Sequence, residues 1–350
     1  MNHTAFNTTI SSCANSLYSI NLTNISPDLR AVFIVRIVVN ALSCPLTILL
    51  NILLMVAVKS KRQLRTKSNI ALACLSTTDL IVGLVVQPLH ITATSLLLKG
   101  ELVLCTITDV SATTTFICLL ASIHHLVLMS AERYVAIKHP FTHETQVTEV
   151  RIIMASALAW AAAIILYIVA HPQAAIVVIL ELLLIIFPVY FNVSVYKEVL
   201  RNEKQIAANQ VSLEAKERLL KKGKAFYTTT IVLFAILLCY IPSGICGVIL
   251  ISFKERIPSS VTVAVLFASG LFPVLNSLFN PLIYAVRIKC FRVALIQLFA
   301  RKTTSQAEQV ERKIFGPRQI KVNGNVDAGQ GNQTLKDEHQ PTTQTEPYGG

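Results

Sequence analysis

Seven long apolar runs divide this chain, and polar, charged segments separate them. The runs cover about 31–58, 68–97, 102–131, 152–170, 174–196, 225–251 and 258–286. Each is long enough to cross the hydrocarbon core of a membrane, for which a helix needs roughly 20 residues. Because lipid cannot hydrogen-bond a bare backbone, such runs must form helices or a closed barrel. The alternation typical of barrel strands is missing, so the pattern predicts an all-α fold, a bundle of seven transmembrane helices.

The composition is typical of a membrane protein. Of 350 residues, 53% are hydrophobic and 14% are charged, whereas a soluble domain carries about 25% charged residues. Only five of the 31 lysines and arginines lie in or near the segments on one side of the predicted membrane: Arg30, Arg36, Lys99, Lys254 and Arg256. The rest follow the first, third, fifth and seventh runs. The positive-inside rule therefore predicts an extracellular N-terminus and a cytoplasmic C-terminus. Lipid headgroups and a cytoplasmic partner, rather than nucleic acid, are the expected counterparts of the net charge of +12.

The segments outside the runs suggest four regions. Residues 1–30 form an extracellular tail with glycosylation sequons at Asn2, Asn7, Asn21 and Asn24. Residues 31–286 form the bundle, and 287–300 read as a short amphipathic eighth helix on the membrane surface. Residues 301–350 are polar, and we expect a disordered cytoplasmic tail. Of the eight cysteines, only Cys13 and Cys105 face the oxidising side, so they are the one candidate for an extracellular disulfide.

Two short motifs close the third and seventh runs. The first is Glu132-Arg133-Tyr134, and the second is Asn280-Pro281-Leu282-Ile283-Tyr284. The pair resembles the signature of rhodopsin-like (class A) G-protein-coupled receptors, and the resemblance covers roughly residues 31–300. It implies a plasma-membrane receptor that transduces an extracellular ligand into heterotrimeric G-protein activation through outward movement of the sixth helix.

The resemblance also implies roles for individual residues in activation. Arg133 is held at rest by Glu132 and released to contact the G protein, and Tyr196 and Tyr284 bridge to the freed arginine. The switch between the states is expected at Ile123, Pro188, Ile236, Tyr240 and Pro242. Tyr240 replaces the family's usual Trp, and Ile236 replaces its usual Phe. Lys222 replaces the acid that, in the family, holds the sixth helix in its resting position. The missing latch motivates a hypothesis of basal activity.

Asp79 is the only Asp, Glu, Lys or Arg in the second run, and an ionisable residue inside a membrane is expensive enough to suggest a function. The family's partner positions are occupied here by Asn51, Ser122, Asn276 and Asn280. The resemblance implies an allosteric Na⁺ at this cluster in the inactive state. A plain polar network between helices is the alternative, and no other cofactor is indicated.

The ligand pocket is expected in the outer half of the bundle. Its candidate residues are Asp109, Thr115, Phe116, Leu119, Glu181, Tyr240, Ser243 and Gly247. Thr115 stands where amine receptors carry an Asp, which argues against an ordinary monoamine receptor, and the seventh run has no Lys for a retinal Schiff base. Glu181 favours a cationic or hydrogen-bonding ligand, or it pairs with His171 or water.

The second outer loop is very short and has no cysteine, and Thr108 stands where relatives carry the cysteine of the usual disulfide. This combination resembles melanocortin receptors and suggests an open entrance for a small molecule or a short peptide.

Other functions fit the sequence less well. A transporter would show inverted repeats with broken helices, and an intramembrane enzyme would need paired acids or a nucleophile with its base, so we expect no catalytic residues. A non-coupling decoy receptor is a further alternative, although the presence of Arg133, Tyr196 and Tyr284 favours coupling. Arrestin and a receptor kinase are possible partners at Thr303, Thr304 and Ser305.

Overall fold

The structure, a computed structural model, is helical wherever it is described. It describes residues 25–99, 104–170, 174–208, 230, 231, 234, 237–250, 252, 253, 256–287 and 289–315. Within these residues all regular secondary structure is helical. The predicted all-α architecture is therefore confirmed.

The membrane helices, α1 to α7, follow one another in the order that the apolar runs predict. They are α1 Pro27–Ser60, α2 Lys67–Lys99, α3 Leu104–Lys138, α4 Glu149–Ala170, α5 Ala174–Ala208, α6 Leu237–Leu250, and α7, which consists of Ser259–Ser269 and Leu271–Arg287. In the described part of the chain, six of these are long and apolar enough to span a membrane, and α6 is a shorter apolar helix. The chain is a multi-pass membrane protein with the helical bundle that its sequence predicts.

Two apolar clusters mark two ends of the bundle, which are named here after one residue at each. At the Leu29 end, the apolar cluster of Leu29, Phe33, Leu97 and Val263 joins α1, α2 and α7. At the Arg133 end, a larger buried cluster joins α1, α2, α3 and α7. Helix α3 is central, because it packs against α2, α4 and α5.

Helix α2 is not uniform, because Val82–Val86 forms a π-helical turn in its middle. Gly83 lies in this turn and is pressed against α1. The thiol of Cys44 donates a hydrogen bond to the Gly83 carbonyl at 3.3 Å, and a Cβ on Gly83 would lie 2.8 Å from Cγ1 of Ile48. A small residue here lets the two backbones approach closely, as is common between membrane helices.

Two helices follow α7: α8 Lys289–Ala300, where the sequence predicts an eighth helix, and α9 Thr304–Phe315. Helix α9 corrects the prediction of disorder for that part of the tail. Arg292 of α8 donates hydrogen bonds from Nη2 and Nε to Oε1 of Glu311 at 2.7 and 3.1 Å, and Ala307 is completely buried. Ala307 and Glu311 lie one turn apart on the face that contacts α8, a pattern that the polar composition of the segment concealed. Arg301, with φ of 48°, makes the left-handed turn between the two helices.

We predict opposite effects of the same substitution at two helical glycines. Gly83→Ala should lower the melting temperature of the purified protein, because overpacking costs about 1–3 kcal/mol and exceeds the helix-propensity gain of about 1 kcal/mol. Gly244→Ala is the matched control, since its Cβ would meet Leu182 at an ordinary 3.5 Å, and it should leave the melting temperature unchanged or raise it. Thermal unfolding in detergent measures both, and equal shifts would contradict the close approach of α1 and α2.

Candidate functional site

Glu132, near the end of α3, lies at the centre of a polar cluster, and its side chain is only 5% exposed. Its Oε2 accepts a hydrogen bond from the hydroxyl of Ser68 in α2. Its Oε1 hydrogen-bonds with Nε2 of His143 at 2.9 Å. The guanidinium of Arg133 lies further away, with Nε 3.7 Å from Oε2. Glu132 is therefore bound closely by two neighbouring elements and only loosely by Arg133.

A short linker helix, Pro140–Gln146, carries His143 into this cluster. Pro140 begins the helix, a position that suits proline because the first turn leaves its N–H groups unpaired. Lys67, at the start of α2, donates a hydrogen bond to the His143 carbonyl at 2.8 Å. Arg65 and Glu149 form an ion pair at 2.8 Å between the α1–α2 connection and α4. The Lys67 hydrogen bond holds the linker helix against α2, and the ion pair holds the α1–α2 connection against α4.

The three predicted tyrosines differ in their surroundings. Tyr284 of α7 is 3% exposed, and its hydroxyl has no hydrogen-bond partner among the described residues. Tyr134 packs its ring against Phe191 of α5 at 5.4 Å between centroids. Tyr196 of α5 is 47% exposed. The expected bridge of two tyrosines to Arg133 therefore stays a prediction, with Tyr284 buried and Tyr196 on the bundle surface.

Asp79, in α2, is completely buried at the middle of the bundle. Nδ2 of Asn280 donates a hydrogen bond to its Oδ2 at 3.0 Å. Nδ2 of Asn51 donates to the carbonyl of Ser277 at 3.1 Å, so α1 is tied to α7 beside it. The structure brings these predicted partners into the interior, where Asn276 is also buried.

Several oxygens of this Asp79 cluster have no hydrogen-bond partner in the described part of the chain. They are Oδ1 of Asn51, Asp79, Asn276 and Asn280. One carboxylate with several amide oxygens is a ligand set that fits a hard monovalent cation such as Na⁺, since hard cations prefer oxygen. Among the described residues no three His, Cys, Asp or Glu side chains lie together as a transition-metal site would require.

A cavity of about 10 Å³ lies beside the Asp79 cluster, and its lining includes Thr115, Leu119, Ser122, Tyr240 and Ser277. This volume holds about one water molecule. Three predicted ligand residues and one predicted Na⁺ ligand therefore meet at one small space. A larger ligand would need the helices to separate.

Other residues predicted to act in switching or binding lie outside this cavity lining. Ile123 is buried in the same core cluster as Tyr240, and Pro242 is half-buried. Pro188 is buried in α5. Nδ2 of Asn192 donates a hydrogen bond to the Pro188 carbonyl at 2.8 Å and another to the Ser130 hydroxyl of α3 at 3.1 Å.

The remaining ligand candidates are scattered. Asp109 and Phe116 are exposed on α3, and Ser243 and Gly247 are half-buried on α6. Outside the described residues or side chains lie the other predicted sites: Ile236, Glu181, Cys13, Cys105, Asn2, Asn7, Asn21 and Asn24.

Sequence reasoning missed four side chains that organise the bundle: Arg36, Ser68, His143 and Asn192. Ser68, His143 and Asn192 gave no signal without the fold, because Ser, His and Asn are common in loops and helices. Arg36 did give one, because it is an ionisable residue within the first apolar run and falls under the same rule that singled out Asp79.

The fold and these clusters define a class: a multi-pass helical bundle with one polar cluster at its middle and an acid–arginine pair at one end. Comparison with known proteins makes the class specific. Residues 50–172 match the model of the 7 transmembrane receptor (rhodopsin family). The resemblance to rhodopsin-like receptors is thereby confirmed over this segment. The likeness of the short loop to melanocortin receptors stays a prediction.

Curated relatives agree over the same part of the chain. The rat (Rattus norvegicus) muscarinic acetylcholine receptor M5 is 32% identical over 131 residues, which are 37% of this chain and 24% of the relative. The rat D(1B) dopamine receptor is 33% identical over 34% of this chain and 25% of the relative. The human (Homo sapiens) 5-hydroxytryptamine receptor 2C is 35% identical over 33% of this chain and 25% of the relative. The chain thus matches about a quarter of the length of these relatives. The α7 motif lies beyond the family match, so it is a separate observation.

We predict that the Ser68 hydrogen bond to Glu132 contributes measurably to stability. Ser68→Ala should lower the melting temperature by an amount that corresponds to about 1–3 kcal/mol, because a hydrogen bond to a buried charged group is lost. Ser76→Ala is the matched control, since Ser76 is buried on the same helix but donates only to the Leu72 carbonyl of its own helix. Thermal unfolding of the two variants compares them. An equal effect would mean that Ser68 does not hold the carboxylate.

Proposed function

We propose that this chain is a plasma-membrane receptor that couples an extracellular ligand, a small molecule or a short peptide, to a heterotrimeric G protein. The observation that carries the proposal is the pair formed by Glu132 and Arg133 at the end of α3. Arg133 lies 3.7 Å from a carboxylate that Ser68 and His143 already bind more closely. An arginine so held can leave its acid without leaving that acid unpaired.

The Arg133 end is the proposed cytoplasmic side, in agreement with the positive-inside rule. Activation is a shift between two states of the bundle: α6 moves outward, and Arg133 turns from Glu132 toward the G protein. Tyr196 and Tyr284 are the proposed partners of the freed arginine. Exposed hydroxyls at Thr303, Thr304 and Ser305 are available to a receptor kinase, and arrestin is the proposed reader of their phosphorylation.

The ligand need not be an amine, although the names of the matched relatives refer to acetylcholine, dopamine and 5-hydroxytryptamine. Thr115 hydrogen-bonds through its hydroxyl with His90 at 2.9 Å and donates to the Ser111 carbonyl at 2.6 Å. It supplies no negative charge for an ammonium group. A neutral or anionic ligand fits this part of the bundle better.

We predict basal signalling that depends on Arg133. In cells with matched surface expression, the ligand-free level of cAMP, calcium or inositol phosphate should differ from that of untransfected cells, and Arg133→Ala should abolish the difference. Arg151→Ala is the control, because Arg151 is an exposed arginine near the same end and its side chain hydrogen-bonds, among the described residues, only to Gln146. A signal that persists without Arg133 would contradict the proposed coupling. Silence of the wild type in every readout would contradict basal activity and favour a ligand-dependent receptor or a decoy.

We further propose that Na⁺ stabilises the resting state at the Asp79 cluster. When bound, the ion would neutralise the Asp79 carboxylate, and the unpaired oxygens of Asn276 and Asn280 would complete its shell, together with the hydroxyl of Ser122. These side chains come from α2, α3 and α7. Closing the shell therefore requires those helices to stay packed, which disfavours the active state.

The corresponding prediction compares salts at equal ionic strength. NaCl should raise the melting temperature of the purified protein relative to choline chloride. The corresponding gain in the free energy of unfolding reaches about 2.7 kcal/mol when Na⁺ is at 100 times its Kd. Asp79→Asn should remove the difference, whereas Asp109→Asn, at an exposed carboxylate of α3, should keep it. A difference that survives Asp79→Asn would place the ion elsewhere, and no difference in the wild type would leave a plain polar network.

A further inference from the structure

Another ionisable side chain, besides Asp79 and Glu132, lies buried in the bundle. Arg36, on α1, is 9% exposed. Its guanidinium carbon lies over the ring of Phe267 in α7, 4.2 Å from the centroid. Its Nε donates no hydrogen bond to any described residue. Among those residues no carboxylate lies within ion-pair distance of it, although ion pairs are formed elsewhere.

The neighbours of Arg36 are polar but neutral or basic. Asn40 and Ser43 continue its face of α1, and Gln87 and His90 lie opposite on α2, all of them buried. Nε2 of Gln87 donates to the Ser43 hydroxyl at 2.7 Å.

This group of side chains has unused hydrogen-bonding capacity. In the described part of the chain, Nδ1 of His90, Oε1 of Gln87 and Oδ1 of Asn40 have no partner, like Nε of Arg36. Buried polar atoms are normally paired, and an unpaired buried cation is costlier still. Asp79, at the middle of the bundle, accepts a hydrogen bond from Asn280. The positive charge of Arg36 therefore lacks a counter-charge from the described part of the protein.

An apolar wall adjoins the cation. The cluster of Leu29, Phe33, Leu97 and Val263 lies at the same end of the bundle, and Phe267 packs against it while also stacking on Arg36. The ring of Phe33 lies 5.0 Å from that of Phe267 between centroids. A cation beside aromatic and aliphatic side chains matches a molecule with one anionic group on an apolar body.

We propose that Arg36 anchors a binding subsite, between α1, α2 and α7, for an amphiphilic anion that carries a carboxylate or phosphate group. The anionic group pairs with the guanidinium and accepts from it, and the apolar part lies against Phe33, Leu97 and Phe267. This subsite deepens the proposed receptor function, on which its physiological role rests, since it lies at the end of the bundle proposed to face the ligand. The binding itself requires no G protein, so it can be tested apart from signalling.

The same chemistry has two possible sources, a free amphiphile or the headgroup of an anionic lipid. Residues on the outer side of α1 next to Arg36 are exposed and apolar: Ile34 is 49% exposed, Val35 52% and Val38 48%. This side of α1 faces lipid in a membrane. Either source can therefore reach the neighbourhood of Arg36, and the experiment must separate the two.

The test uses the purified full-length protein in phosphatidylcholine nanodiscs, with decanoate as the anionic probe and decanol as its neutral counterpart. Decanoate should raise the melting temperature of the wild type in a saturable way, and decanol should not. In Arg36→Gln the half-saturating decanoate concentration should rise at least 10-fold, and in Arg36→Lys by less. Arg30→Gln is the matched control, because Arg30 is an exposed arginine on the same helix, and it should titrate as the wild type does.

Nanodiscs with phosphatidylglycerol distinguish the sources. If this lipid raises the melting temperature through Arg36 and removes the response to decanoate, the subsite holds a lipid headgroup. If decanoate acts equally in both lipids, the subsite takes a free amphiphile. Equal effects of decanoate and decanol, or an unchanged titration in Arg36→Gln, would overturn the proposal and mean that a carboxylate of the chain itself neutralises Arg36.

A measurement on the wild type keeps the proposal testable if Arg36→Gln does not fold. A decanoate analogue with a photoreactive diazirine at its apolar end should label peptides that contain Phe33, Leu97 or Phe267, and excess decanoate should compete. Labelling confined to other helices would overturn the subsite. Neither result depends on whether the cells signal, so failure of the subsite and failure of the receptor proposal are separate outcomes.

Discussion

Lipid cannot hydrogen-bond the polar side chains inside a membrane bundle, so these side chains must hydrogen-bond one another. This constraint acts most strongly at Asp79. Its carboxylate is completely buried in α2 and receives a hydrogen bond from Asn280 of α7. Asn51 of α1 donates to the backbone of α7 one turn away. These polar contacts therefore help to fix the rotation of the three helices about their axes.

The Glu132 cluster shows the same constraint in a weaker form near one end. Glu132 keeps its hydrogen bonds to Ser68 and His143 whether or not Arg133 stays beside it. The arginine is a quarter exposed, and its Nε lies 3.7 Å from the carboxylate, further than the Ser68 and His143 atoms that bind the same group. A resting state secured in this way is separated from its alternative by little electrostatic energy. This asymmetry is the physical basis for expecting basal activity.

The order of helices followed from the sequence because each crosses a membrane, and length with apolarity is enough to detect that. Asp79 and Glu132 were also predictable, since a charge in an apolar run is rare and motif positions named their neighbours. Ser68 and His143 were not predictable, because their importance arises only when α2 and the linker helix bring them to Glu132. Helix α9 was missed for a related reason: Ala307 and Glu311 form a contact face only once α8 provides Arg292.

Arg36 and Asp79 place opposite charges within one set of three helices, α1, α2 and α7. Helix α1 carries Arg36 and Asn51, α2 carries His90 and Asp79, and α7 carries Phe267 and Asn280. An anion that draws Arg36, Phe267 and α2 together would alter the packing of the helices that surround the Asp79 carboxylate. By thermodynamic linkage, a cation bound at Asp79 would then change the affinity for the anion by the same factor as the anion changes the affinity for the cation. The two charges thus provide a physical route by which binding at the Leu29 end reaches the middle of the bundle, with α1, α2 and α7 as the elements that carry it.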